Sequence, residues 1–233
     1  MLPVRSFKQG QITSDEVRDL LARMRDAGEH KTGEVLEGMA AIGSYAGDIL
    51  VADAGLHVAG HLDLSRERAW VLMVYGDLVV DGVFSDYLYG DDDDPGSHLL
   101  VTGDMRARGV ITAGWMEVHG SLACGHLIGD YNDCSAYIGG DVHAGLFYGE
   151  EHFFTIKGAL HAGLVISGPT GPRLDVPVEP EVISTADPRL LDYLDRELLY
   201  AHDVTYEDGS PVLGIDLGEL CQRVRNGTPL RTA

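Results

Sequence analysis

Six times along this chain an apolar residue, a Gly and a second apolar residue recur at alternate positions: Val58-Gly60-Leu62, Val74-Gly76-Leu78, Val101-Gly103-Met105, Val118-Gly120-Leu122, Ile138-Gly140-Val142 and Ile156-Gly158-Leu160. The Gly-to-Gly steps are 16, 27, 17, 20 and 18 residues. Self-similarity at such a period constrains a fold strongly, because each unit buries its apolar face only against its neighbours. A second Gly follows at 82, 109, 125, 145 and 163, usually before an aliphatic or aromatic pair. The one long step contains SDYLYGDDDDPGSH, which reads as an inserted loop.

Within each unit the pattern alternates. Four residues after the Gly stand Leu64, Val80, Ala107, Cys124, Ala144 and Ala162, all apolar and expected to point inward. One residue earlier stand Asp63, Val79, Arg106, Ala123, His143 and His161, expected to point outward. A sandwich would show alternating strands without a phrase returning in register. The pattern instead predicts a mainly β chain folded as a short parallel β-helix of about six coils, roughly 30 Å long. The Gly is expected to permit a corner with unusual φ or a close approach between coils.

The flanks change period. Residues 13–28 open with the capping box Thr13-x-x-Glu16 and place Val17, Leu20, Leu21 and Met24 on one stripe, predicting a helix ended by Gly28. A second, Gly-interrupted helix is read at 31–43. Residues 187–200 begin with Asp187 as N-cap and Pro188 at the first helical position, and 216–227 read as a last helix closed by Asn226-Gly227. The expected organisation is an N-terminal helical cap (1–45), the β-solenoid (46–167), a Pro-rich linker (168–186) and a C-terminal helical segment (187–233).

The repeated phrase, seen as GDLVVDG, GDMRARG and GDVHAG, resembles that of bactofilins and related polymer-forming bacterial β-helix proteins. It is similar still more to acidic bacterial β-solenoids that carry helical segments at both ends and a motif such as GDYND (129–133). The resemblance covers about 46–167 and implies a right-handed β-helix without catalytic residues. Bactofilins polymerise through exposed coil ends, whereas helices at both ends of this chain are expected to cap the solenoid.

Charge narrows the function. The chain carries a formal net charge of −20 with a pI near 4.6, which disfavours nucleic acid and anionic membranes as partners and favours a basic one. No apolar run reaches 18 residues and no N-terminal signal pattern is seen, so a cytoplasmic protein is expected. Three cysteines without CxxC spacing suit a reducing compartment.

The candidate binding residues gather in three segments. Asp86, Tyr87, Tyr89 and the run Asp91, Asp92, Asp93 and Asp94 form the acidic insert, which lacks the spaced ligands of an EF-hand. Tyr131 and Asp133, then Tyr148, Glu150, Glu151 and His152, occupy comparable parts of later coils, with Trp115 between. If the coils register, one edge carries this acidic and aromatic surface, suited to a basic protein. His143 and His161 fall one coil apart as a surface ladder, two ligands short of a full zinc set, and no metal or cofactor is expected. Cys124 reads as a small core residue.

GxSxG, P-loop and HExxH motifs are absent, so no enzyme is expected. The expected function is binding: an immunity-type inhibitor of a basic bacterial toxin or effector domain. The alternatives are a self-assembling bactofilin-like scaffold and, third, a carbohydrate-active β-helix enzyme using a carboxylate pair such as Asp130 and Asp133.

Overall fold

The structure, a computed structural model, describes residues 2–7, 13–24, 48–67, 69–86, 97–130, 134–149, 152–168, 174–175, 182–185, 187–205 and 211–231. Two sheets face each other across one apolar core. The short-strand sheet runs, in hydrogen-bonded order, β1 (Arg5–Phe7), β2 (Asp48–Ala52), β5 (Ala69–Val74), β7 (His98–Val101), β9 (Trp115–Val118), β11 (Ser135–Ile138), β13 (Phe153–Ile156) and β15 (Leu174–Asp175). The long-strand sheet runs β3 (Leu56–Val58), β6 (Leu78–Ser85), β8 (Met105–Thr112), β10 (Leu122–Gly129), β12 (Val142–Gly149), β14 (Leu160–Ser167) and β16 (Val182–Ser184), with β4 (Leu62–Asp63) also beside β6. Pairing is parallel throughout both sheets except between β1 and β2. The chain is therefore a parallel β-solenoid of about five turns, each contributing one short and one long strand.

The sixth expected coil does not stand in register. Leu56 pairs with Leu78 and Val58 with Val80, while Leu62 pairs with Phe84. Gly60 thus lies under Gly82, whose N–H donates to its carbonyl at 2.7 Å, and not under Gly76. Val58 and Leu62 satisfy the phrase by composition, but the hydrogen bond from Leu56 N–H to Asp77 O fixes the corner at Gly55. The other five phrases stack as expected.

Their corners explain the glycine. Gly103, Gly120, Gly140 and Gly158 each donate N–H to the carbonyl of the corner glycine one turn back, at 2.9–3.1 Å. A Cβ at Gly120 or Gly158 would lie 2.6 Å from that carbonyl oxygen, closer than packed atoms come. Close approach decides these positions, while Gly76 also adopts a φ of 122°. The next residue completes the ladder. Asp77 Oδ1 accepts from Asp104 N–H at 2.9 Å, Asp104 Oδ1 from Ser121 N–H at 2.8 Å, Ser121 Oγ from Asp141 N–H at 3.2 Å, and Asp141 Oδ1 from Ala159 N–H at 2.9 Å.

The described parts of the terminal segments pack on the faces of the solenoid, and helical caps at both ends are not shown: one of the two helices lies at the C-terminus. Helix α1 (Ser14–Met24) forms its capping box, with Thr13 N–H donating to Glu16 Oε2 at 2.8 Å and Glu16 N–H to Thr13 Oγ1 at 3.2 Å. Its Leu20 packs with Ile49, Val51, Val71, Met73 and Leu100 on the outer face of the short-strand sheet. Tyr75 Oη donates to Leu20 O at 3.0 Å. Leu2 and Val4, not a helix, pack against the inner core. The helix read at 31–43 and the stop at Gly28 lie outside the described residues.

At the other end the expected helix over 187–200 is two 3-10 turns, Pro188–Asp192 and Arg196–Leu198, leading into strand β17 (Leu199–Thr205). Asp187 does cap, accepting from Arg189 N–H at 2.9 Å, but Asp195 stands in extended backbone and restarts the chain. Strand β18 (Pro211–Ile215) pairs antiparallel with β17. Helix α2 (Leu217–Asn226) follows, capped by Asp216 and ended by Gly227 at a φ of 68°, as the Asn-Gly pair predicts. The stretch expected as a linker contributes β15 and β16, because Val182 and Ile183 extend the ladder beside Val165 and Ile166.

Candidate functional site

The long-strand sheet has an outer face of two characters. Beyond the second Gly of each turn, Val83, Ile111, Ile128, Tyr148, Ile166 and Ile183 point outward and are buried by Leu190, Leu194, Leu198, Ile215, Leu217, Leu220 and Val224 of the C-terminal segment. Before that Gly the outward residues stay accessible, and several of them are polar. Arg106, His143 and His161 are exposed there. His143 lies directly opposite His161 on neighbouring strands, their rings stacked at 4.6 Å and 16°. Asp141 precedes His143 by two residues and shares its face. The three side chains bring ligand atoms within 4.8 Å of one another. One Asp141 oxygen is held by Ala159 N–H, which fixes the carboxylate beside the imidazoles.

The second feature is the edge where the long strands end. Ser85 registers with Ile111, Thr112 with Gly129, and Gly129 with Gly149. Ser85, Thr112, Gly129 and Gly149 therefore end their strands at one edge of the solenoid. Polar groups are buried beneath it. Asp86 is 0% exposed and accepts from Thr112 Oγ1 at 2.7 Å and Ala113 N–H at 2.8 Å. Burial pushes its carboxyl up to about 6, although these bonds pull the other way. His152 is equally buried against Phe154, with ring centroids 5.1 Å apart, and burial pushes its imidazole down to about 4. Asp130 is also buried.

These positions alter the expected surface. Asp86, Tyr148 and His152 are withdrawn from the exposed edge, Tyr148 because its strand position faces the C-terminal segment. Trp115 is half-buried and stacks on His98 at 6.3 Å, with Trp70 edge-on to the same imidazole at 5.6 Å. Tyr87, Tyr89, Asp91, Asp92, Asp93, Asp94, Tyr131, Asp133, Glu150 and Glu151 lie outside the described residues. Of the pair considered for glycoside chemistry, Asp130 is buried and Asp133 is not described.

Sequence reasoning found the two stacked histidines but missed Asp141. The signal was present: a short polar residue follows the corner Gly at 77, 104, 121 and 141. A hollow of about 510 Å³ on the C-terminal segment is lined by residues that include Asp195, Glu197, Glu219 and Arg223. There Arg223 donates to all three carboxylates at 2.6–2.9 Å, a tie between α2 and the second 3-10 turn. None of the three cysteines forms a disulfide, and burial pushes the Cys124 and Cys221 thiols up to about 12, away from thiolate chemistry.

The chain matches no protein-family model, no curated protein and no solved structure. Among the described residues no helix is long and apolar enough to cross a membrane.

Proposed function

We propose that the chain acts by binding, as an immunity-type antagonist that presents the loop edge of its solenoid to a basic toxin or effector domain. The observation that supports this reading is the strand register, which brings the ends of three long strands, at Ser85, Gly129 and Gly149, to one edge, and the inserted sequences follow those strand ends in the chain. The sequence of the longest, with Asp91 to Asp94 and two tyrosines, supplies the negative charge and rigid aromatic area that a basic surface pairs with. The net charge of −20 adds long-range attraction and a salt-dependent on-rate. Loops on a packed scaffold also change without disturbing the core, which suits a binder matched to one partner.

The test mixes the full chain with basic proteins encoded beside its gene and measures complex formation by light scattering at low and high salt. The expected result is a complex that weakens with salt and weakens further when Asp91 to Asp94 are all changed to Asn. A chain that stays unbound throughout, or a complex indifferent to the four substitutions, refutes the reading.

A second reading, a bactofilin-like scaffold assembling end to end, is favoured by one observation: α1 and α2 pack on the outer faces of the two sheets.

A further inference from the structure

We propose that Asp141, His143 and His161 form a surface site for a divalent zinc-class metal ion. The site is independent of the loop edge and of the binding reading above. It stands on the accessible half of the long-strand sheet, at the opposite end of strand β12 from Tyr148 and Gly149.

The donor set is specific. Two imidazoles and one carboxylate are the ligand types of zinc and its first-row neighbours, whereas Ca²⁺ and Mg²⁺ require mostly oxygen. Three donors from the protein leave one tetrahedral position for water or a ligand from solution. The donor atoms lie within 4.8 Å of one another, and tetrahedral binding at about 2.0–2.1 Å brings such atoms to roughly 3.4 Å. The required closure is small, and the two rings that must turn are exposed and stacked on each other. The stacked rings splay about their outer torsions so that both nitrogens face one point.

The carboxylate is placed before any metal arrives. Asp141 Oδ1 accepts from Ala159 N–H at 2.9 Å as part of the corner ladder, so the side chain is oriented by a backbone amide. A carboxylate has two oxygens and lone pairs to spare, so that bond and a metal bond are compatible. The same ladder has Asp77 and Asp104 at earlier corners, but the outward residues that follow them are Val79 and Arg106. Among the described residues, only the turn through Gly140 combines the ladder carboxylate with an imidazole, and the turn after it supplies a second imidazole in register. The coincidence of three donor types on one open face is what sets this spot apart from the remaining corners.

The test is calorimetric titration of the full chain with Zn²⁺ at pH 7.5, together with the visible spectrum of the Co²⁺ form. One equivalent of Zn²⁺ is expected to bind, with Ca²⁺ and Mg²⁺ giving no heat of binding. His143→Ala, His161→Ala and Asp141→Asn are each expected to weaken binding by about tenfold or more. Asp141→Asn keeps an acceptor for Ala159 N–H, so its loss of binding reports on the metal and not on the corner. His57→Ala removes another exposed imidazole, paired with Asp81 at 2.9 Å, and is expected to change nothing. The proposal is overturned by no binding to the unaltered chain, by undiminished binding in the three variants, or by loss in His57→Ala instead.

Discussion

Three buried ionisable residues, His98, His152 and Asp86, have strongly displaced titration, and in acid they do not pull together. His98 and His152 are held neutral, their imidazoles pushed down to about 4 by burial, with Glu117 and a hydrogen bond involving Asp130 opposing. The unfolded chain takes up these protons near pH 6.5, so their stabilisation is complete above that value and is lost as pH falls toward 4. Asp86 works in the other sense. Its folded carboxyl keeps a proton up to about 6, so its favourable contribution is complete below about 3.8 and is lost as pH rises through 6. Each displacement corresponds to about 3 kcal/mol, so two histidines outweigh one aspartate. The melting temperature is therefore expected to fall between pH 6.5 and 4. Thermal melts across that range should show a shallower fall in His152→Gln, which removes one opposing proton site, and a steeper one in Asp86→Asn. The reverse ordering would show that other groups control the acid response.

At the scale of the element, the recurring unit is a corner and the long strand that follows it. The corner rests on close backbone approach plus a side-chain rung, and these differ in cost. Gly120→Ala would drive a Cβ into Gly103 O and the Asp104 carboxylate, an overpacking expected to cost about 1–3 kcal/mol. Asp104→Ala removes one exposed acceptor for Ser121 N–H and should cost about 1 kcal/mol or less. Urea denaturation should rank the two in that order, and equal losses would mean that the rung, not the approach, holds the corner. The same unit explains what the sequence made readable. Alternation and the returning phrase revealed the parallel coils and their core, because inward positions tolerate only apolar residues. Gly60 was misread since Val58 and Leu62 satisfy the phrase one half-step out of register. Asp187 and Pro188 predict a helix over 187–200, and Asp187 does cap, but what it caps is a 3-10 turn that extended backbone at Asp195 interrupts. Asp86 and His152 sit where strands end, and there periodicity no longer says which side faces water. Of the Asp141, His143 and His161 group, coil register delivered the histidines, while the carboxylate lay hidden in a corner with a structural task of its own.

At the scale of the whole molecule, the question is what keeps a stack of parallel strands from adding further copies. The terminal pairs are blunted: β1 closes the first edge of the short-strand sheet antiparallel, and β15 and β16 are only 2 and 3 residues long. A greater hazard lies on the face of the long-strand sheet. Val83, Ile111, Ile128, Tyr148 and Ile166 form an outward apolar stripe that the C-terminal segment covers. The Arg223 tie to Asp195, Glu197 and Glu219 holds that segment together, so cover and clasp are one unit. Without it the stripe is a contiguous exposed patch of the kind that drives association. Size-exclusion chromatography with light scattering should therefore give a discrete small species for the full chain. A chain ending at residue 186 should form large or polydisperse assemblies. That pair of results would make the C-terminal segment a solubilising cover and favour a discrete binder. A full chain that itself forms long assemblies would instead mean that the short edge strands do join, and would move the functional reading to the end-to-end scaffold. A truncated chain that stays small would remove the stripe from the account altogether, leaving the edge strands as the element that limits growth.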